Sequence, residues 1–358
     1  MFKIDFASLN SEQLIALASS KLNGSLEDWE KVVWQFIQTW FDPKINSITV
    51  NTSGSTGVPK SIEHSKQFML NSAAMTCMAL DLKPGNNALL CLPANKIGGM
   101  MMIVRCIYNR MDLYCIKPSA TPLSNLSDDV HVDFAAFTPM QFYQVVEQPS
   151  ILKRAERISQ VILGGEDVGH KLLQQTGTMQ NEVYVTFGMT ETISHIALKR
   201  ISGNKPDKHF TALPGIKVST DERSCLIIEA PDLGQPQLHT NDIVSLISNT
   251  QFDWLGRVDN VINSGGVKVY AEEIEQKLQP AINSPFFVGA IADELTGQKV
   301  VLAIEAENLP QNEIDRLKKL LDQFDKIRRP KEILFIPKFV RTENGKIKRK
   351  DSINLLTT

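Results

Sequence analysis

Long apolar runs are missing from this chain of 358 residues. The strongest, Ile97 to Val104, is bounded by Lys96 and Arg105 and falls far short of the roughly 20 residues a membrane-spanning helix needs. The opening Met1-Phe-Lys-Ile-Asp-Phe6 holds no stretch of export-signal length. Cysteine is scarce: Cys77, Cys91, Cys106, Cys115 and Cys225 are odd in number, scattered, and never spaced as CxxC. That excludes a disulfide framework and reads as reduced thiols in a cytoplasmic protein. The six histidines show no HExxH or other paired-ligand spacing, so no protein-built zinc site is expected. Neither sign of charge dominates, with 38 Lys+Arg against 40 Asp+Glu, which argues against a general binder of nucleic acid. Internal repeats and low-complexity segments are absent.

What is present is a soluble globular composition, 42% hydrophobic and 22% charged, long enough for two or three domains. The charge is uneven. Residues 326–350 carry ten Lys/Arg and two Glu, net +8, so the rest of the chain is net −10. Residues 11–41 read as two helices, the second starting at a capping-box-like Ser25-Leu-Glu-Asp28. In it Trp29, Val32, Val33, Phe36, Ile37 and Trp40 share one face. From 47 to 190, short β-rich runs alternate with amphipathic stretches: 47–51, 88–92, 112–116, 133–137, 160–163 and 182–186. Such alternation predicts an α/β layered domain with a largely parallel sheet. Between about 195 and 255, short strands broken by Gly, Pro and Asn suggest a small β-rich subdomain. A boundary is expected near 256–260, followed by a βα segment, a charged helix around 312–324 and the basic tail.

The densest chemical signal is Asn51-Thr-Ser-Gly-Ser-Thr-Gly-Val-Pro-Lys-Ser61. Gly54 and Gly57 let the backbone turn tightly and bring N–H groups to an anion. Ser53, Ser55 and Thr56 add hydroxyls, and Lys60 adds a positive charge. A triphosphate fits such a loop. A Walker A loop starting at Gly54 would need glycine at position 59, which is Pro59. The following Lys60-Ser-Ile-Glu-His64 also reads as a strand, where a Walker A loop opens a helix. A second signal, Thr186-Phe-Gly-Met-Thr-Glu-Thr192, follows a β-rich run, and ligands gather at strand ends in α/β sheets. There Thr190 could bond a phosphate and Glu191 could hold Mg²⁺, although a Thr-Glu pair is also a common helix start. Gly164-Gly165-Glu166 is either a plain strand-to-helix turn or backbone opened for a flat base. Asp242 suits a ribose diol with Arg257 as a second clamp, or the two form a surface ion pair. In Arg341-Thr-Glu-Asn-Gly-Lys346 the turn-forming Asn344-Gly345 would present Lys346 at a loop tip, unless the run is merely a solvated charged tail.

In this order and spacing, the motifs resemble those of the adenylate-forming superfamily of acyl-CoA synthetases, peptide-synthetase adenylation domains and luciferases. Thr52 to Lys60 resembles its phosphate loop, Phe187-Gly-Met-Thr-Glu191 its [YF]GxTE motif, and Asp242 the aspartate of TGD. Gly256-Arg-Val-Asp259 resembles its hinge segment, and Arg341 to Lys346 its RTxxGK motif. Departures are Asn241 for the TGD glycine, Asn263 for a common lysine, and Phe339-Val340 for Leu-Pro; none removes a catalytic charge.

The resemblance implies an adenylate-forming enzyme fold: a nucleotide- and acyl-binding domain, 1–256, and a mobile α+β cap, 257–358. It implies a two-step ligase using ATP, Mg²⁺ and coenzyme A, with Lys346, Thr190 and Glu191 catalytic and Glu191 the metal ligand. Thr52, Ser53, Gly54, Ser55, Thr56, Gly57 and Lys60 would hold the phosphates. Gly164, Gly165, Glu166, Phe187, Gly188, Asp242 and Arg257 would take the adenosine. Asp259 would be the hinge, and Ser264-Gly265-Gly266 would leave passage for a pantetheine arm.

Only about fifty residues precede the loop, fewer than in full-size members, and this compact form resembles the o-succinylbenzoate–CoA ligase-like enzymes of menaquinone biosynthesis. Lys96 and Arg105 beside the acyl-pocket segment Leu92-Pro-Ala-Asn-Lys96-Ile-Gly-Gly99 suit an acid with a second carboxylate. The alternative is that they sit at the two solvated ends of an apolar helix. The expected partners are a small-molecule carboxylic acid, ATP and coenzyme A, with neither nucleic acid nor membrane, and self-association left open. The other readings are a different aryl or acyl acid–CoA ligase, an adenylation domain charging a carrier protein, and a nucleotide-binding protein without ligase activity.

Overall fold

The computed structural model of the chain describes residues 1–52, 60–342 and 346–356. It opens with strand β1 (Phe2–Ile4) and helices α1 (Ser11–Leu22) and α2 (Asp28–Phe41). The second helix starts two residues later than its sequence suggests: Glu27 is the N-cap, and its N–H donates to the Glu30 carboxylate at 3.0 Å. Val33, Trp34, Phe36, Ile37 and Trp40 are buried along it, and Phe2 stacks on both Trp29 and Trp34.

Strands β2 (Ser47–Thr52) and β3 (Lys60–Ser65) follow, then α3 (Lys66–Ala79), β4 (Asn87–Leu90), α4 (Ile97–Asn109) and β5 (Asp112–Cys115). Next come β6 (Phe134–Phe137), α5 (Pro139–Val146), α6 (Pro149–Ala155), β7 (Gln160–Leu163), α7 (His170–Gly177) and β8 (Glu182–Gly188). The strand run at 47–51 does not join the large sheet: β2 pairs only with β3, antiparallel from Ser47↔Ser65 to Thr52↔Lys60. Within the large sheet, parallel pairing is confined to the five strands ordered β5-β4-β6-β7-β8, with β1 antiparallel at the edge.

The β-rich region is β9 (His195–Arg200), β10 (Phe210–Ala212), β11 (Lys217–Thr220), β12 (Cys225–Ala230), β13 (Gln235–Ser248) and β14 (Gln251–Arg257). It is not a separate subdomain. The turn after β8 is tight enough for β9 to pair back antiparallel, Tyr184↔Arg200 to Gly188↔His195, so one 12-stranded sheet runs through both regions. Alternation along β4 and β6 sends Ala88, Leu90, Phe134 and Ala136 to one apolar cluster with α3 and α4. Leu89, Ala135 and Phe137 enter the other, with α5, α6 and α7.

Residues after Arg257 build their own sheet from β15 (Val261–Ser264), β16 (Val267–Tyr270), β17 (Phe286–Asp293), β18 (Gly297–Glu305) and β19 (Glu332–Ile336). Helices α8 (Ala271–Leu278), α9 (Gln311–Leu321) and α10 (Arg349–Asn354) pack on it over two further apolar clusters. Among the described residues, no helix is long and apolar enough to cross a membrane.

Candidate active site

Three features of the large sheet carry the sequence candidates, two of them where the parallel strands end and the antiparallel half begins. The first is the turn after β7. Gly165 has φ +96, and a Cβ on Gly164 would stand 2.5 Å from Thr186 Oγ1, which donates to the Leu163 carbonyl at 3.0 Å. Only bare backbone fits between these two strand ends.

The second is the 188–195 loop. Gly188 lies so close to the returning chain that a Cβ would meet His195 Cα at 2.4 Å and the Ser194 carbonyl at 2.5 Å. Thr190-Glu191-Thr192 form a single 3₁₀ turn, in which Thr192 Oγ1 accepts from Met189 N–H at 3.1 Å. Ile193, fully buried, then adopts φ 69 and ψ −52, closing a γ-turn in which Ser194 N–H donates to the Thr192 carbonyl at 2.7 Å. A β-branched residue at positive φ is strained. Glu191 is half-buried, and among the described residues no hydrogen bond or ion pair engages its carboxylate. His64 of β3 is buried beside it. Burial holds that imidazole below its usual range, opposed by the Thr190 backbone and the Glu191 charge.

The third is Asp242, in the middle of β13 where that strand pairs with Arg257 at the end of β14. Asp242 is buried, accepts from Trp254 Nε1 at 3.0 Å, and lies 3.7 Å from Arg257 Nη1. Burial pushes its carboxyl up, with the Trp254 bond and Arg257 opposing. Arg257 also reaches Asp259 at 3.2 Å, so one guanidinium joins β13 to the segment after β14. Phe187 packs edge-on against Phe252, ring centroids 5.1 Å apart, and against Phe210 at 5.9 Å.

Other sequence candidates are placed differently. Ser53, Gly54, Ser55, Thr56 and Gly57 lie outside the described residues; Thr52 and Lys60 form the last backbone pair between β2 and β3. Glu166 is exposed. Ser264 pairs with Gly297, Gly265 N–H donates to the Thr296 carbonyl at 2.9 Å, and Gly265 and Gly266 both have positive φ. Lys346 is exposed on the leg of a small hairpin, its N–H 3.2 Å from Thr342 Oγ1; Asn344 and Gly345 lie outside the described residues. Much of the basic tail is internally paired: Arg341 with Glu305, Arg349 with Glu275, and Arg329 with Asp322.

Lys96 and Arg105 are not a pair. Lys96 is the exposed N-cap of α4, and nine residues of helix set the two about 13 Å apart along the axis. Arg105 is not at a solvated end either, being 2% exposed. Its Nη2 donates to Ser194 Oγ at 2.6 Å, its Nη1 is 3.9 Å from Met102 Sδ, and its Nε has no partner. Burial pulls this guanidinium down to about 10, so it stays charged at neutral pH, and no carboxylate among the described residues pairs with it. Sequence reading passed over Ser194 and His195. A polar pair inside the apolar run Ile193 to Leu198 was the available signal.

Parallel strands ending in glycine turns, with the Glu191 carboxylate unpaired among the described residues, mark a nucleotide-binding α/β enzyme fold. The chain belongs to the AMP-binding enzyme family, whose model matches residues 11–223. It is similar to the 2-succinylbenzoate–CoA ligase of Lactococcus lactis subsp. lactis (strain IL1403), 24% identical over 87% of this chain and 71% of the relative. Among solved structures it is similar to the acyl-CoA synthetase (AMP-forming)/AMP-acid ligase II-like protein from Dyadobacter fermentans DSM 18053. That protein is 35% identical, with TM-score 0.65 over 95% of this chain and 98% of that one. The o-succinylbenzoate coenzyme A synthetase from Bacillus subtilis, in complex with ATP and magnesium ion, shares the fold at 18% identity. Its TM-score is 0.69 over 85% of this chain and 69% of its own.

Proposed function

We propose that the chain is an AMP-forming acid–CoA ligase whose acid is o-succinylbenzoate, as in menaquinone biosynthesis. A carboxylate oxygen of the acid attacks the α-phosphorus of ATP. The bond to the β-phosphate bridging oxygen breaks, and pyrophosphate leaves an acyl-adenylate. The thiol of coenzyme A, losing its proton, then attacks the acyl carbon and expels AMP.

The site residues fit these steps. The loop at 52–60 would hold the β- and γ-phosphates, Thr190 the α-phosphate, and Asp242 with Arg257 the ribose. The Gly164-Gly165-Glu166 turn, Phe187 and Gly188 would border the adenine. Mg²⁺ commonly takes one or two protein carboxylates and completes its six oxygens with phosphate and water, so the unengaged Glu191 suits it. When bound it offsets charge on the leaving pyrophosphate. Lys346 would bring a positive charge to the two anions as they meet. Residues 257–358 would form a cap hinged at Asp259, withdrawing Lys346 after the first step and bringing Ser264-Gly265-Gly266 to the thiol's path.

The observation that carries the choice of acid is Arg105. A buried cation without an anion is costly, and this one keeps Nε free in the interior behind the acyl-pocket segment. An acid with a second carboxylate supplies the missing partner. Lys96, exposed at the helix start, adds charge at the approach only.

The test is pyrophosphate release with ATP and Mg²⁺. We expect o-succinylbenzoate to be activated on the order of 10²-fold or more better by kcat/KM than 4-oxo-4-phenylbutanoate, which lacks the ring carboxylate. Arg105→Ala should collapse that ratio. No release with any acid overturns the ligase reading. Release with benzoate but not with o-succinylbenzoate overturns the substrate.

A further inference from the structure

Arg105 is held by a chain of hydrogen bonds that runs through Ser194, His195 and Thr76 with one consistent assignment of donors and acceptors. The Thr76 hydroxyl gives its proton to the Ser72 carbonyl one turn back in α3, at 3.1 Å. Its oxygen is left to accept from His195 Nε2 at 3.2 Å. With the hydroxyl proton so placed, the assigned tautomer is Nε2–H, and Nδ1 accepts from the Ser194 hydroxyl at 3.4 Å. Ser194 Oγ in turn accepts from Arg105 Nη2 at 2.6 Å. Thr76 and His195 are both buried, so neither exchanges these partners for bulk water.

The chain ends on the loop that carries Thr190 and Glu191. The Thr192 hydroxyl proton is shared between the Ser194 carbonyl at 2.8 Å and the Met189 carbonyl at 3.0 Å, and the γ-turn at Ile193 joins Thr192 and Ser194 through their backbones. A shift of Ser194 therefore has little slack before it reaches Thr190 and Glu191.

We propose that Thr76, His195 and Ser194 are positioning residues that aim Arg105 at the second carboxylate of the acid, and that through Ser194 its arrival sets the Thr190–Glu191 turn. This deepens the diacid reading above and rests on it. His195 acts as a neutral acceptor, not as an acid, base or ligand. Discrimination for the diacid is thereby expressed in turnover as well as in affinity, because the residue that steadies the guanidinium belongs to the phosphate-facing loop.

The experiment measures kcat and KM of pyrophosphate release for o-succinylbenzoate and 4-oxo-4-phenylbutanoate in the full chain. Ser194→Ala and His195→Phe should each lower the diacid-to-monoacid ratio of kcat/KM by roughly 10-fold or more, with part of the loss in the diacid kcat. His195→Asn places an amide oxygen near the Nδ1 position and should restore the ratio to within about threefold of wild type. Equal losses with both acids, a loss confined to KM, or no rescue by asparagine would overturn the relay. Arg105→Ala separates the two claims. If it leaves the ratio intact, the diacid reading itself is wrong. If it collapses the ratio while Ser194→Ala and His195→Phe do not, only the relay fails.

Discussion

At the scale of single residues, the site is organised around charges without the usual partners. His195 lies beside the Arg105 cation, and burial together with that charge holds it well below its ordinary value of 6.5. The folded chain then binds fewer protons at this position than the unfolded chain once the pH drops below 6.5. Its contribution to stability is full above that value and falls as the pH drops through it, by at most about 1.4 kcal/mol per pH unit. Wild type should therefore lose more of its denaturant midpoint between pH 7.5 and 5.5 than His195→Asn, which cannot titrate; parallel slopes would refute a buried neutral imidazole. Arg105 was legible in the sequence as a cation beside an acyl-pocket segment, but its depth was not. Helical periodicity places a residue on a face and says nothing of which neighbour covers that face. Ser194 and His195 were hidden for the same reason, since their partners Arg105 and Thr76 lie 89 and 119 positions away.

At the scale of elements, two glycines next to strand ends decide how closely the chain returns on itself. Gly188→Ala puts a methyl against backbone atoms of Ser194 and His195 that cannot rotate aside. Displacing the 188–195 loop by about an ångström should cost roughly 10²-fold in kcat of pyrophosphate release. Gly177→Ala is the matched control, because a methyl there meets nothing within 4 Å; similar losses in both variants would contradict a role for the close approach at Gly188. The parallel strands were readable because each is a short apolar run beside an amphipathic helix. What misled the reading was pairing. The sequence at 47–51 has strand composition, but its partner is β3, the next strand in the chain, and not a strand of the large sheet. The break in pattern at 195 marks a change from parallel to antiparallel pairing within one sheet rather than a new unit.

At the scale of the whole molecule, two sheets with separate apolar clusters meet through Arg257, Asp259 and the α8 region. Glu272 accepts from Asn260 at 2.5 Å and lies 3.5 Å from Arg349, so the segment after β14 is tied to the helix that follows Lys346. His170 N–H donates to Gln279 across the same boundary. The +8 tail is in good part internal mortar, which the charge count alone could not distinguish from a polyanion-binding surface. Lys346 is different, exposed and with no ion pair among the described residues. Lys346→Ala should slow adenylation by about 10²–10³-fold and largely spare thioester formation from supplied acyl-adenylate. Equal loss in both half-reactions would contradict its proposed role.

The placement of the few cysteines has a chemical consequence. All five are buried, and burial pushes each thiol up, Cys77 to about 11. An enzyme that makes a mixed anhydride and then admits a free thiol risks acylating itself. This one offers the activated carbonyl no thiolate of its own, so the acyl group has no sulfur to reach except the one that arrives as substrate.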